Sequence, residues 1–317
     1  MRIGITGGTG FVGRHLARAL VSAGHHSVIL ARGVDRRDLA IRSLPRMTFR
    51  EADLSDPTGL IEAFAGCDAV AHCAGINREI GAQTYQQVHV RGTLNTIEAA
   101  RRAQVRRFLL LSFLRARPDC GSSYHESKWA AEQLVRQSGL DYTIVKAGMI
   151  YGRGDHMLDH ISHTIHTLPL FATVGIHERP IRPVAVEDVV DILVGSLIDG
   201  RLSGKTVFVL GPETLLLSEA VRRVAATLGR KVSILRAPVW FHYVLGRACE
   251  YTMHIPLIAT AQVRMLAEGF LTAAPFAEPP PADLTPRRCF TPDQIRGGLP
   301  DPGPFRLRDL RCIWPCG

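Results

Sequence analysis

Thr6-Gly7-Gly8-Thr9-Gly10-Phe11-Val12-Gly13 follows a short apolar run, residues 3–5, almost at the start of the chain. Glycines at this spacing occur in many turns. A glycine loop that leaves a strand and opens a helix is far more informative. Phe11, Val12, Leu16, Ala19 and Leu20 recur at helical spacing, so the loop does open a helix. In such a loop Gly7 permits the tight turn and Gly10 lets the backbone approach a pyrophosphate. Gly13 lets helix and strand pack closely, and the N–H groups of the first turn, around Phe11 and Val12, face the phosphates. The plainer alternative is a strand–turn–helix that holds no ligand.

Beyond the loop, apolar runs at 27–31, 69–73, 108–111 and 142–145 have the composition of strands buried on both faces, and 47–49 fits a further short strand. Helical patterns lie near 11–23, 57–65, 84–103 and 122–138. This alternation predicts an α/β fold, a doubly wound parallel sheet of the Rossmann type. We expect a nucleotide-binding domain over 1–150, with strands returning to its sheet from within 179–210, at 184–186 and 207–210. The expected remainder is a smaller, mostly helical substrate lobe over 151–300, with Pro279-Pro280-Pro281 as a rigid linker and 301–317 as a loosely attached tail.

The end of the second strand carries cofactor information. An NAD-preferring fold places Asp or Glu about 20 residues past the glycine loop, where it accepts hydrogen bonds from the ribose 2′-hydroxyl. Arg32 stands there instead, with Arg36 and Arg37 close behind and no acid beside it. A guanidinium suits a 2′-phosphate, so NADP(H) is expected over NAD(H). The alternative is an ordinary exposed arginine at a strand end.

Tyr124-His125-Glu126-Ser127-Lys128 places Tyr and Lys four apart on one helical face. An ammonium there can stabilise a phenolate, drawing the tyrosine pKa down, and can also hold a ribose. Combined with the glycine loop, this pair makes the chain resemble the short-chain dehydrogenase/reductase superfamily. Asp53-Leu54 is similar to that family's adenine-contacting pair. Ala71-His72-Cys73-Ala74-Gly75 resembles the loop beside the cofactor ribose. The segments 142–152 and 182–189 resemble those of extended and atypical members. The runs 261–266 and 290–292 are similar to one branch, which holds the nucleotide-binding accessory subunit of respiratory complex I and bacterial nucleoside-diphosphate-sugar epimerase-like proteins.

The resemblance implies a proton-exchanging Tyr124, a tuning and ribose-holding Lys128, and Ser112 orienting the substrate. It also implies Ala74, Gly75, His89 and Ala147 beside the cofactor. Departures matter as much. His89 stands where an asparagine is usual, Phe113 and Leu114 follow Ser112 in place of further hydroxyls, and Lys146-Ala147 replaces Arg-Pro, which should loosen the nicotinamide-side loop. Two classes therefore remain open. One is an NAD(P)-dependent oxidoreductase or epimerase acting on an unidentified small molecule. The other is a non-catalytic cofactor binder serving a membrane-associated respiratory complex.

Bulk properties narrow the rest. The 317 residues are 46% hydrophobic and 21% charged, which excludes general disorder. No apolar run reaches the ~18 residues of a membrane span. The expectation is a cytoplasmic protein, with a peripheral position at a membrane as the alternative, and with no leader before the first strand. The net charge of +9 comes without a nucleic-acid motif, so a solvated face, or one meeting an anionic protein partner or membrane surface, is preferred to nucleic acid. Seven cysteines without a C-x-x-C pair suggest reduced thiols. His156, His160, His163 and His166 share a helical side opposite Leu158, Ile161, Ile165 and Leu168. With no second ligand group, no metal site is expected. Trp240, Phe241, Tyr243 and Tyr251 can be read as a pocket lining, as core or as a partner interface.

Overall fold

The computed structural model describes residues 1–32, 39–252, 258–269, 271, 276–301 and 303–305. Along the chain the elements are β1 (Arg2–Thr6), α1 (Phe11–Ser22), β2 (His26–Ala31), β3 (Met47–Glu51), α2 (Pro57–Phe64) and β4 (Ala69–His72). A stretch of π-helix, Gln86–Arg91, runs directly into α3 (Gly92–Arg102). Then come β5 (Arg107–Phe113), α4 (Ser123–Arg136), β6 (Asp141–Ala147), β7 (Ile150–Tyr151), α5 (His156–Thr167), β8 (Leu170–Val174) and β9 (Val184–Ala185). The last are α6 (Val186–Asp199), β10 (Lys205–Val209), α7 (Leu217–Thr227), β11 (Ser233–Ala237), α8 (Val239–Thr252), α9 (Thr260–Glu268) and α10 (Pro292–Gly298).

The chain divides into two compact units. The first comprises Met1–Gly148, Val186–Val209 and Ala273–Thr285. Its seven strands form one sheet in the order β10-β6-β5-β4-β1-β2-β3, with every pair parallel. Ile3, Ile5, Val28, Ile29, Val70, Leu109, Ile144 and Val145 are buried to 2% exposure or less, as strands covered on both faces require. Strand order reverses between β1 and β4, so the carboxyl ends of these two strands mark the place where this fold binds ligands.

Helix α4 is fixed to the sheet by a buried carboxylate. Glu132 accepts from Lys146 Nζ of β6 at 2.9 and 3.0 Å, from Ser112 Oγ of β5 at 2.6 Å, and from Arg136 Nη2 at 3.1 Å. Glu132 and Lys146 are both fully buried, and Lys146 also donates to the Ala116 carbonyl at 3.0 Å. The departure at Lys146-Ala147 therefore does not loosen the loop. Lys146 is anchored, and β5–β6 pairing runs on to Phe113 and Ala147.

The second unit comprises Met149–Ala185, Leu210–Thr272 and Pro286–Gly317. Two short parallel ribbons, β7–β9 and β8–β11, lie among helices α5, α7, α8, α9 and α10. Asp155 caps α5, accepting the N–H groups of Leu158 at 2.6 Å and Gly152 at 2.7 Å. Tyr151 packs edge-on against Phe290, 4.8 Å between ring centres, and donates to the Cys289 carbonyl at 3.1 Å.

Several expectations are corrected. Only 207–210 returns to the main sheet, as β10, whereas residues 184–185 pair with β7 in a separate ribbon. The helical pattern at 84–103 is a π segment joined to an α-helix. Region 215–300 contains the strand β11. Just before the triple proline, read as a rigid linker, Glu278 donates to the Thr206 carbonyl and accepts from the Phe208 N–H, both at 2.9 Å, which holds the chain leading into it against β10. Of the expected tail, Asp301 pairs with Arg153, and Phe305 N–H donates to Thr167 Oγ1. The remainder of the expected tail lies outside the described residues.

Removing one partner of a buried ion pair strands the other in a low-dielectric interior. Glu132→Ala is expected to cost about 3–5 kcal/mol of stability in urea unfolding. The double variant Glu132→Leu/Lys146→Met, which removes both charges, should cost clearly less. A single variant as stable as the parent would show that this pair does not hold α4 in place.

Candidate functional site

Every candidate site residue read from the sequence lies in the first unit. Gly7 follows β1 with φ +66°, a conformation that side chains rarely adopt, and a Cβ there would sit 2.7 Å from Ala74 Cα. The turns after β1 and β4 thus touch backbone to backbone. A Cβ on Gly13 would collide with the Gly7 carbonyl oxygen, and Gly10 N–H donates to that oxygen at 2.9 Å. Helix α1 begins after Gly10 with no side-chain cap and no acid in its first turn. The N–H groups at Phe11, Val12 and Gly13 thus present the positive end of the helix dipole to the cleft, which fits a diphosphate. Gly8 was not singled out in the sequence, yet a Cβ there would lie 2.6 Å from Ile29.

Arg32, just past β2, is exposed. Asp53 lies close enough for the Arg32 charge to help hold its carboxyl below the usual range, after the larger effect of the Ser55 hydroxyl. An acid therefore does share the ground near Arg32, which corrects the reading from the linear sequence. Arg36 and Arg37 lie outside the described residues. Asp53 Oδ1 accepts from Ser55 N–H at 2.8 Å and Ser55 Oγ at 2.7 Å. The Leu54 carbonyl accepts from Asn95 Nδ2 at 2.7 Å, and Leu54 packs so tightly on Gly92 that a Cβ there would lie 2.7 Å away.

Around the Tyr–Lys pair a directed hydrogen-bond chain fixes the geometry. Thr93 Oγ1 gives its single proton to the His89 carbonyl at 2.5 Å, so His72 Nε2–H must donate to Thr93, at 3.0 Å. His72 Nδ1 then accepts from Thr6 Oγ1 at 2.7 Å. Similarly, Ile76 N–H donates to His89 Nε2 at 3.1 Å and Ser127 Oγ donates to the Tyr124 carbonyl at 3.0 Å. His89 Nδ1–H therefore donates to Ser127, at 2.9 Å. Both imidazoles are neutral. Burial, with the nearby Lys128 charge, pulls His72 down to about 3 and His89 down to about 2.

Lys128 is nine-tenths buried, and burial pulls its pKa down to about 8 against the opposing pulls of Cys73 and Glu132. A Cβ on Gly75 would lie 3.0 Å from Lys128 Nζ and 3.5 Å from His89 Nε2, so glycine there makes room for both side chains. Tyr124 is enclosed by the rings of Tyr85, His89, Phe113 and His125, with centres 5.4–5.7 Å away. That enclosure raises the Tyr124 pKa well above the ordinary tyrosine range, with Tyr85 adding to it. The expectation that Lys128 lowers it is corrected: in the cofactor-free chain burial wins and Tyr124 is a neutral phenol. The Ser112 proton is committed to Glu132, which leaves only its lone pairs to a substrate. Ala147 is buried at the end of β6.

Tyr85 is a member of the site that the sequence did not reveal. Its hydroxyl donates to the Asn77 carbonyl at 2.9 Å and its ring stacks on His89. Outside this site, the histidines of α5 do not share a solvent face. His160 packs edge-on to Phe171 and burial pulls its pKa down to about 4, while His163 Nδ1 donates to the Gly303 carbonyl at 2.6 Å. Leu168, 58% exposed, lies past the helix end.

The chain is similar to several known proteins. A family model described as NAD(P)H-binding matches residues 7–162. A ceramide reductase of Caulobacter vibrioides is 30% identical over 74% of this chain and 73% of its own length. An uncharacterized protein of Mycobacterium tuberculosis is 30% identical over 83% of this chain, which spans only 27% of that protein's length. The 40 kDa subunit of mitochondrial NADH-ubiquinone oxidoreductase from Neurospora crassa is 27% identical over 68% of the chain and 57% of its own length. Among solved structures, a UDP-glucuronic acid 4-epimerase from Bacillus cereus, complexed with UDP-glucuronic acid and NAD, superposes with a TM-score of 0.71. It is 16% identical and covers 94% of this chain and 98% of its own, a likeness of fold.

The buried ammonium makes a pH-dependent prediction. The Lys128 pKa is about 8 when folded against 10.5 as the unperturbed value. Between those values the unfolded chain holds more protons, so stability rises with pH across that window, and the cost of burying the charge is fully present below pH 8. Lys128→Met should remove that rise and stabilise the cofactor-free protein at neutral pH by up to roughly 3 kcal/mol. Urea unfolding of both proteins at neutral and alkaline pH tests this. Parallel stability profiles would contradict it.

Proposed function

Because the chain belongs to the atypical branch of the short-chain dehydrogenase/reductase superfamily, we propose that it is an NADP(H)-dependent oxidoreductase that reduces a carbonyl group, with Tyr124 as proton donor. The observation that carries this reading is Tyr124 placed one helical turn from Lys128, inside a frame of aromatic rings. A phenol that keeps its proton is a general acid, suited to the oxygen of a carbonyl under reduction.

The glycine cradle and the uncapped start of α1 would hold the diphosphate of the dinucleotide, with Arg32 at the 2′-phosphate and Asp53-Leu54 at the adenine. When bound, the nicotinamide supplies the hydride, which the protein itself cannot. Lys128 would hold the ribose and stabilise the phenolate left when Tyr124 gives up its proton. His89 and Ser127 would keep Lys128 and Tyr124 in register through the directed bonds described above. Phe113 and Tyr85 offer apolar contact at Tyr124, which favours a carbonyl on an apolar skeleton over a heavily hydroxylated sugar.

The second reading, a cofactor binder without turnover that serves a membrane-associated complex, draws support from one observation. Ser112, the expected substrate-orienting hydroxyl, gives its proton to Glu132.

Two variants separate the readings. Tyr124→Phe should lower carbonyl-dependent NADPH oxidation by about 10²–10⁴-fold while changing cofactor affinity little; Lys128→Ala should damage both. Full turnover in Tyr124→Phe, or none in the parent across aldehydes, ketones and quinones, would reject the catalytic reading. For the cofactor, Arg32→Ala should weaken NADPH by ~1–3 kcal/mol in calorimetry and leave NADH nearly unchanged. Equal affinity of the parent for both cofactors would reject the assigned preference.

A further inference from the structure

Helix α8 of the second unit has two faces of opposite fate. His242, Gly246 and Cys249 form its buried seam, with Gly246 against the backbone of Ile258 and Thr260 at the start of α9. On the other side Trp240 is 67% exposed, Val244 63% and Tyr251 83%, at the i, i+4, i+11 spacing of one face. Large apolar side chains left exposed cost free energy unless something covers them, and a contiguous patch marks an interaction surface.

The exposed apolar residues are not evenly spread. Among the described residues, all the large ones except Met1, Ile80, Leu94 and Phe276 belong to this second unit. The same stretch of sequence carries cations and no acid of its own, although Arg223 pairs with Glu213 and Glu219, and Arg236 with Glu178. Between Glu219 and Glu250 there is no Asp or Glu, but there are six Arg and Lys residues. Arg222, Arg230 and Lys231 line one open groove, and Arg247 stands among the exposed residues of α8. Glu250, the acid nearest the end of the stripe, is turned to the Thr260 N–H at 2.9 Å.

We propose that the outer face of α8 lies on the surface of an anionic phospholipid bilayer, with Trp240 and Tyr251 at headgroup level and Arg247 on the lipid phosphates. Aromatic side chains with a polar tip favour that interface, and cations beside them gain from its negative potential. Lying on the bilayer fits better than crossing it: α8 has 14 residues, about 21 Å, short of the ~30 Å hydrocarbon core. No helix of the described residues is long and apolar enough to span a membrane. A second copy of the chain is a poorer occupant, since two such faces would oppose cation to cation.

Co-sedimentation of the full chain with vesicles tests the proposal without any appeal to turnover. The protein should sediment with phosphatidylglycerol/phosphatidylcholine vesicles and not with phosphatidylcholine alone, and added salt should release it. Trp240→Ser/Tyr251→Ser and Arg247→Glu should each lower the partition by roughly tenfold. Trp240, Tyr251 and Arg247 are exposed, so melting temperature and cofactor affinity should stay at parental values. Undiminished partition of the variants would overturn the proposal, as would failure to bind anionic vesicles at low salt. So would a concentration-dependent dimer, or oligonucleotide binding, that the same substitutions abolish in place of vesicle binding.

Discussion

One buried carboxylate ties the helix that carries Tyr124 and Lys128 to the central sheet. Glu132 accepts hydrogen bonds from two adjacent strands, through Ser112 and Lys146, while belonging to the helix that carries Tyr124 and Lys128. Three donors, one of them within reach of both oxygens, converge on the carboxylate, a condition under which a charge is tolerated away from water. The interaction couples sheet to helix at one point. Lys128 lies one turn before Glu132 and Tyr124 one turn before that. Any tilt of the helix about Glu132 would therefore displace Tyr124 more than Lys128, because Tyr124 lies farther from the pivot.

The second constraint is donor counting. Each hydroxyl around His72 and His89 has one proton to give, and once Thr93 and Ser127 spend theirs on carbonyls, both imidazoles have a single allowed tautomer. The substitution of histidine for the usual asparagine at position 89 thus brings no ambiguity of proton placement. An amide would offer both a donor and an acceptor, and this imidazole does the same, with the acceptor directed to the Ile76 N–H and the donor to Ser127. The cost of burying it is lowered because it is never charged in the physiological range.

Much of this was legible in the sequence for physical reasons. The glycine loop could be placed because glycine is needed wherever backbone meets backbone, and Gly7 against Ala74 is such a contact. The strands of the first unit could be placed because continuous apolar runs have no other use at that length. Partner choice was not legible. Residues 184–185 look like a sheet strand, but pairing is decided by distant backbone, and here it falls to Ile150 and Tyr151. The role of Ser112 was hidden for the same reason, since its partner is 20 residues away on a helix. A signal was present all the same. Lys146 directly follows the apolar pair Ile144-Val145 and precedes a buried alanine, and a lysine in that setting needs a buried acid, which Glu132 supplies. Tyr85 lay within a helical pattern that gave no sign of the change from α to π geometry just after it.

That change of geometry has its own consequence. A π turn holds one residue more than an α turn, so the segment Gln86–Arg91 rotates the side chains before it by about a quarter of the helical wheel relative to those after it. Tyr85 before this offset and His89 within it reach the tyrosine pocket, while Gly92 and Asn95 after it brace the loop at Leu54. Two ends of one helical rod thus answer to two different parts of the cleft. Excising a single residue within 86–91 would restore a plain α-helix and put those two ends out of phase. In this stretch the length of the chain is under tighter constraint than the identity of most of its side chains.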